Sequence, residues 1–373
     1  MEYVIQKLPF DNEHEIESKV ILKKIIKAHK ALAELNGVAE SIPNEAIILN
    51  TLSLQEAKDS SAIENIITTH DELYSSDTVA KQFTSHSAKE VFNYATALKK
   101  GFHMVKDSGL LTTNNIIEVQ SIVEENRAGL RKLSGTELKN DQTGKTVYIP
   151  PQHIDEISNL MSNLEIFIND DEISELDPLV KMAIIHHQFE SIHPFYDGNG
   201  RTGRILNILY LVKEELLNLP ILYLSRYINN NKADYYRLLQ STRQTKGWHE
   251  WVLFILEAVE STAIETTIMI RDIKKMMMNH KHKIRTDLNK VYSQDLINNL
   301  FRHPYTKIEF VVSDLNVTRQ TASKYLEKLA KIGIVSVHKI GKEKFYINND
   351  LYEYLYDVPN RLRLRSTLTE HVK

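Results

Sequence analysis

Apolar residues recur at three- and four-residue spacing through most long windows of this 373-residue chain, and only 12 glycines and 9 prolines interrupt them. Such spacing lays one apolar stripe along a helix, so the body is read as mainly α. It predicts helices over 16–35, 44–57, 87–105, 113–126, 153–169, 177–191, 203–217, 232–244 and 248–280. One short segment departs from it. From Leu133 to Ile149, two β-prone arms flank Asn140-Asp141-Gln142-Thr143-Gly144, the pattern of a hairpin, and Pro150-Pro151 ends it.

A second change comes near residue 286, after the polar, basic run from Met276 to Asp287. Beyond it, 307–315 and 318–333 read as two helices split at Asn316-Val317, with Thr318 as N-cap. Two alternating strands, 335–340 and 344–348, follow around Gly341-Lys342-Glu343. Helix, turn, helix and hairpin is the order of a winged helix-turn-helix. The chain is therefore divided into an N-terminal helical region (1–105), a central core (106–285) and a winged-helix domain with tail (286–373).

The net charge of -3 points to no polyanionic partner, but from Arg285 onward 15 basic residues face 10 acidic ones, so the tail is the basic end. There is no cysteine, which excludes disulfides, thiolate-held zinc, iron–sulfur clusters and thiol catalysis. The first residues carry acids where a secretory signal has a basic, then apolar, segment. The most apolar run, Trp251 to Val259, falls far short of the roughly 20 residues a membrane span requires. A cytoplasmic protein with no membrane association is expected.

The chemistry concentrates in His193 to Arg204, HPFYDGNGRTGR. Its Gly198-x-Gly200-x-x-Gly203 resembles a dinucleotide-binding turn, but that turn follows a buried strand. Here the preceding element opens Asp177-Pro178 and sets Leu179, Met182, Ala183, Phe189 and Ile192 at helical spacing. A helix, a glycine-rich loop and a second helix remain, and such a loop offers unobstructed N–H groups at the positive end of a helix. An anion is the expected guest. Arg201 and Arg204 can lean toward it from one turn, Asn199 can donate to a phosphoryl oxygen, and Asp197 would share Mg²⁺ with phosphate oxygens. His193 is the one nearby group suited to taking a proton near neutral pH. A plain interhelical turn would not need two arginines, an acid and a histidine together.

These twelve residues match H-x-F-x-[DE]-G-N-G-R-x-x-R at every defined position, and the chain resembles the Fic-domain family. The resemblance implies a Fic-type helical core with a β-hairpin flap. It implies an enzyme that moves AMP from ATP to a Tyr, Thr or Ser hydroxyl of target proteins, or of itself, and releases pyrophosphate. By the same resemblance His193 is the general base and Asp197 the Mg²⁺ ligand. Gly198, Asn199 and Gly200 form the anion hole, Arg201 and Arg204 hold outer phosphates, and Phe195 anchors the loop. Thr202 and Gly203 complete the nucleotide segment.

The hairpin at 133–149 falls where the family has the flap that pairs with an extended target segment. Ser60-Ser61-Ala62-Ile63-Glu64-Asn65 matches the inhibitory pattern [ST]-x-x-x-E-[GN] of autoinhibited members, so Glu64 is expected to engage Arg204. Such a carboxylate competes directly with phosphate. Tyr223, Tyr227, Tyr235 and Tyr236 lie where related sequences build the adenine and ribose pocket, and Tyr235 or Tyr236 is favoured as a nucleotide contact. His186 and His187 are read as packing residues, because no metal-site spacing accompanies them.

Arg319, Lys324, Lys328, Lys331, Lys339, Lys342 and Lys344 on the winged helix suit phosphate contacts, leaving DNA binding and protein docking as two readings. A homodimer is expected by family analogy alone. The alternatives to adenylyl transfer are phosphotransfer or AMP removal on the same scaffold, or a nucleotide-sensing DNA-binding regulator.

Overall fold

The computed structural model describes residues 5–42, 44–75, 83–140, 143–302, 304–340 and 343–356. In chain order its elements begin with α1 (Lys19–Ala39), α2 (Glu45–Ile63), α3 (His70–Ser75), α4 (His86–Ser108) and α5 (Thr113–Val123). Then come β1 (Leu138–Lys139), β2 (Thr146–Tyr148), α6 (Ile154–Asn169), α7 (Pro178–Ile192), α8 (Asn199–Lys213), α9 (Leu224–Asn230), α10 (Lys232–Thr245) and α11 (Trp248–Asp287). The last are α12 (Gln294–Arg302), β3 (Tyr305–Thr306), α13 (Ile308–Leu315), α14 (Arg319–Lys331), β4 (Val335–Ile340), β5 (Glu343–Asn348) and α15 (Asn349–Tyr356). The chain is mainly helical, as its spacing predicts. It divides into two compact units, one of residues 1–36, 52–67 and 89–264, the other of residues 37–51, 68–88 and 265–373.

In the first unit α7 packs on α6 and α8, and α5 packs on α8. Every residue of α7 from Leu179 to Ile192 is buried, so it is a central helix with no solvent face. Asp177 caps its start by accepting the Leu179 N–H at 2.9 Å, and Pro178 fills the first position, where a missing N–H costs nothing. Trp251 of α11 has no exposed surface. Its indole N–H donates to the Ala183 carbonyl at 2.7 Å, and its ring lies parallel to His186. Gly101 lets α4 approach α8 closely, since a Cβ there would stand 2.5 Å from Leu209 Cδ1.

Several helix boundaries differ from the sequence reading, α11 running on to Asp287 among them, and two of the differences bear on the loop at 193–204. α2 continues past Ala57 to Ile63 through Asp59-Ser60-Ser61, poor helix formers, and Ser60 is held there by hydrogen bonds from Arg204 to its hydroxyl and carbonyl. α8 starts at Asn199, four residues before the predicted start, so Gly200 and Gly203 sit inside its first turns. Glycine there costs roughly 1 kcal/mol relative to alanine and is compensated by close approach of neighbours, described below. Helices α3, α9, α12 and α15 were not expected from the spacing. The hairpin forms, but β1 and β2 are short and joined with a bulge. Asp141 and Gln142 of its turn lie outside the described residues.

The second unit contains the winged helix. α13 and α14 meet at Asn316, which is left-handed at φ 51°, and Thr318 caps α14 by accepting the Thr321 N–H at 3.2 Å. β4 and β5 form the wing, and β3 adds to β5 in an antiparallel sheet of order β3-β5-β4. Of the wing turn, Gly341 and Lys342 lie outside the described residues, as do residues 357–373. Lys324, Lys328 and Lys331 are exposed on or near α14, whereas Arg319 is engaged by Glu309 at 2.5 Å.

Replacing Asp177 by Ala should cost about 1–2 kcal/mol of stability, because it removes the cap of α7 together with the 2.8 Å contact to His29. Urea denaturation of the two proteins measures this, and an unchanged midpoint would show that the cap contributes nothing.

Candidate active site

α7 turns into α8 over six residues, and both ends of that turn are left-handed: His193 at φ 50° and Gly198 at φ 74°. For a residue with a Cβ this conformation needs support from its surroundings. Here the support comes from groups that satisfy the carbonyls a helix leaves open at its C-terminus. Arg243 Nη2 donates to the Glu190 carbonyl at 3.1 Å, and the Tyr148 hydroxyl to that of Ser191 at 2.8 Å. Arg131 Nε donates to the His193 carbonyl at 2.8 Å, and the Arg131 N–H to that of Pro194 at 2.9 Å. Phe195 is fully buried against Phe189, anchoring the turn in the core.

Asn199 is more committed than the sequence suggests. Its Oδ1 accepts the Phe195 N–H and its Nδ2 donates to the Phe195 carbonyl, both at 2.9 Å, and it is buried. The side chain therefore braces the turn with its oxygen and one N–H, while its second Nδ2 hydrogen and its backbone N–H, at the first position of α8, remain. Thr202 is buried, and its N–H returns to the Gly198 carbonyl. Gly203 faces α7: a Cβ there would stand 2.8 Å from Glu190 Oε1 and 3.0 Å from Phe189 Cδ1.

Arg201 and Arg204 are both buried. Arg204 Nε donates to Ser60 Oγ at 2.8 Å, and its Nη2 to the Ser60 carbonyl at 3.1 Å and to Glu64 Oε1 at 2.7 Å. Arg201 is ringed by carboxylates: Glu124 at 2.6 Å, Glu90 at 2.8 Å and Glu64 at 3.0 Å. Glu64 thus bridges the two arginines. It also overhangs the loop, for a Cβ on Gly200 would lie 2.5 Å from its Oε1, and one on Gly198 would lie 2.4 Å from Glu124 Oε1. A side chain at either position would push these acids aside, and at Gly198 the left-handed φ of 74° favours glycine as well. Asn65 is left-handed at φ 63°, and its Oδ1 accepts from Lys232 Nζ at 3.2 Å.

Burial pushes the His193 imidazole down to about 3, assisted by the cations of Arg243 and Arg131, so the ring is neutral near pH 7. Its Nδ1 is buried with no hydrogen-bond partner. Burial pushes the carboxyl of Glu190 up to about 7 despite Arg204 and Arg243. Burial also raises Glu124, against the pull of Arg201. Asp197 is exposed at the mouth of the turn, one oxygen accepting the Gly198 N–H at 2.8 Å. A single open carboxylate beside an anion-ready loop suits Mg²⁺, which takes one or two carboxylates and fills its shell with water and phosphate oxygens.

The two favoured tyrosines separate. Tyr235 is buried, its hydroxyl 2.8 Å from His186 Nε2 and its ring against Trp251, so it is a core residue and not an open nucleotide contact. Tyr236 is 47% exposed and meets Tyr235 edge-on. His186 and His187 are packing residues, bonded to Tyr235 and to the Leu239 carbonyl. Sequence reasoning missed Arg131, Arg243, Glu90, Glu124 and Glu190. Glu90 and Glu124 lie 111 and 77 positions from Arg201, and no local spacing announces such pairs.

Compared with known proteins, residues 22–103 match the Fic/DOC family N-terminal domain and residues 110–211 the Fic/DOC family. Residues 276–351 match the C-terminal domain described for SoFic-like protein adenylyltransferases. The protein adenylyltransferase Fic of Drosophila erecta is 29% identical over 149 residues, 39% of this chain and 28% of that protein. A probable protein adenylyltransferase of Aquifex aeolicus is 24% identical over 209 residues, 55% of this chain and 63% of its own length. The chain thus spans less than two thirds of either relative. Among solved structures, a Fic family protein of Desulfovibrio desulfuricans G20 superposes with a TM-score of 0.55 at 19% identity, covering 88% of this chain and 96% of that one. Fic-1 (residues 134–508) of C. elegans gives a TM-score of 0.52 at 18% identity, covering 67% and 72%. These likenesses show the fold. Among the described residues, no helix is long and apolar enough to cross a membrane.

The raised Glu190 carboxyl makes stability depend on pH with a definite sign. Between its usual 4.5 and about 7 the folded chain keeps a proton that the unfolded chain has released, so stability falls as pH rises through that window. Replacing Glu190 by Gln should flatten the decline in denaturation midpoint between pH 5 and 8. Glu56, raised by burial to about 7 as well, contributes equally to both proteins. Parallel slopes would show that Glu190 is ionised in the fold.

Proposed function

The chain belongs to the Fic/DOC family, whose domains it carries, and from that premise we propose that it is a protein adenylyltransferase held inactive by Glu64. The observation that carries the reading is the Glu64 carboxylate seated over Gly200 and bridging Arg204 and Arg201. An acid occupies the spot where the loop, the N-terminal end of α8 and two guanidinium groups converge on an anion. An anion site filled by the chain's own carboxylate is an inhibited anion site.

In the proposed reaction the oxygen of a target hydroxyl attacks the α-phosphorus of ATP. The bond from that phosphorus to the bridging oxygen breaks, pyrophosphate leaves, and the hydroxyl proton passes to His193. The neutral imidazole has the lone pair this step needs. The N–H groups opening α8 face the phosphate charge, and Asp197 would hold Mg²⁺, which offsets the charge developing on the leaving pyrophosphate. Arg204 takes an outer phosphate once Glu64 leaves it. The flap offers Val147 and Ile149, 43% and 55% exposed, along an edge suited to strand addition by an extended target segment.

Self-labelling with α- and γ-labelled ATP and Mg²⁺ tests this. Glu64→Gly should raise α-label on the protein roughly tenfold or more, the equivalent of losing one charge-assisted hydrogen bond. His193→Ala in that background should lower it by about 10²–10⁴-fold. Label from the γ-position would make the reaction phosphotransfer, and no label from Glu64→Gly protein that still binds ATP would leave a nucleotide-sensing regulator.

A further inference from the structure

Arg131 lies ahead of the flap hairpin and has no exposed surface. Its hydrogen bonds all run to backbone carbonyls. The N–H reaches Pro194, Nε reaches His193, and Nη2 reaches Pro151 as well as Ile192 at 3.5 Å. Pro151 follows β2 and Arg131 precedes β1, so one residue ties both roots of the hairpin to the turn that carries the histidine. Among the described residues no carboxylate lies within ion-pair distance of it, and burial works against its charge. A buried guanidinium without an acid is costly, and an apolar side chain would fill the space at lower cost.

From these contacts we infer that Arg131 is a positioning residue that holds His193 and the flap in one frame, so that a segment lying along the hairpin is presented to the base at a fixed distance. The inference deepens the adenylyl-transfer reading and rests on it. Two of the bonds fall on consecutive carbonyls, those of the left-handed His193 and of Pro194, where the backbone most needs support. A lysine cannot replace the fork, because one ammonium does not reach carbonyls on both sides of a planar guanidinium.

Arg131 also bears on the charge at His193. Three groups affect the imidazole in order: Arg243 from α10, then Arg131, both favouring the neutral ring, and the Glu190 backbone, favouring the charged one. Asp197 lies on the same turn, exposed. Losing the Arg131 charge therefore moves the His193 titration upward.

The test uses the full chain carrying Glu64→Gly, with Arg131→Gln and Arg131→Lys made in it. Self-labelling from α-labelled ATP gives the rate, direct titration with Mg·ATP gives the affinity, and NMR of the ring protons gives the His193 midpoint, assigned by its loss in His193→Ala. Arg131→Gln should lower the turnover roughly a hundredfold with ATP affinity within about twofold. The His193 midpoint should rise by about one pH unit. Arg131→Lys should restore the midpoint but not the rate. An unchanged rate in Arg131→Gln overturns the inference, as does a rate lost in step with ATP affinity while the midpoint stays fixed. If the Glu64→Gly protein itself transfers no label, the adenylyl-transfer reading fails. The midpoint then decides alone: unmoved, it removes Arg131 from the histidine; raised and restored by Lys, it keeps Arg131 as the residue that fixes it.

Discussion

The C-terminal end of α7 leaves carbonyls that no helix can satisfy for itself, and here that end is buried where water cannot serve. Three side chains from distant parts of the sequence complete it: Tyr148 from the flap, Arg243 from α10 and Arg131 from the segment before the flap. This one requirement fixes much else. It pins β2 to the turn between α7 and α8, since Tyr148 is also covered by the Arg243 guanidinium 4.1 Å from its ring centroid. It supports the left-handed His193. It also sets two cations near an imidazole that burial already keeps neutral.

The two arginines of the loop read alike in the sequence and are unequal in the fold. Arg201 is neutralised by three carboxylates from three different helices or helix ends, so removing Glu64 still leaves it between Glu90 and Glu124. Among the described residues Arg204 has one carboxylate within ion-pair distance, that of Glu64. Buried ion pairs are kept by completeness of pairing more than by net gain, because desolvation cancels most of the attraction. By that argument Arg201 brackets the start of α8 to α4 and α5, and in the proposed reaction Arg204 would be the cation whose partner an incoming phosphate exchanges.

The helical body, the hairpin, the winged helix and the helix–loop–helix at 193–204 were legible because each is a local pattern: spacing, turn residues, a cap, a run of twelve residues. What was not legible is long-range. The extent of α2 past Ala57, which serine's helix propensity opposes, goes with the bonds Ser60 accepts from Arg204, 144 positions away. That Asn199 also braces the turn, meeting the backbone of Phe195 with both ends of its amide, no local spacing announces. Tyr235 and Tyr236 are adjacent in sequence and point to opposite environments, one to His186 and Trp251, the other to solvent, a difference that helical periodicity could have suggested but not assigned.

The segment from Ser60 to Asn65 resembles one inhibitory motif, yet its residues do different work. Ser60 is fully buried and binds Arg204 through both its hydroxyl and its carbonyl. Glu64 is partly exposed, one residue past the last turn of α2, and its neighbour Asn65 is already left-handed. The end of a helix is where a side chain leaves at least cost, since few backbone bonds depend on it. When Glu64 departs, two of the three bonds that orient the Arg204 guanidinium remain, both to Ser60. The carboxylate therefore covers an arginine that Ser60 has already aimed, so under the proposed inhibition relief would require a side chain to swing rather than a site to be rebuilt.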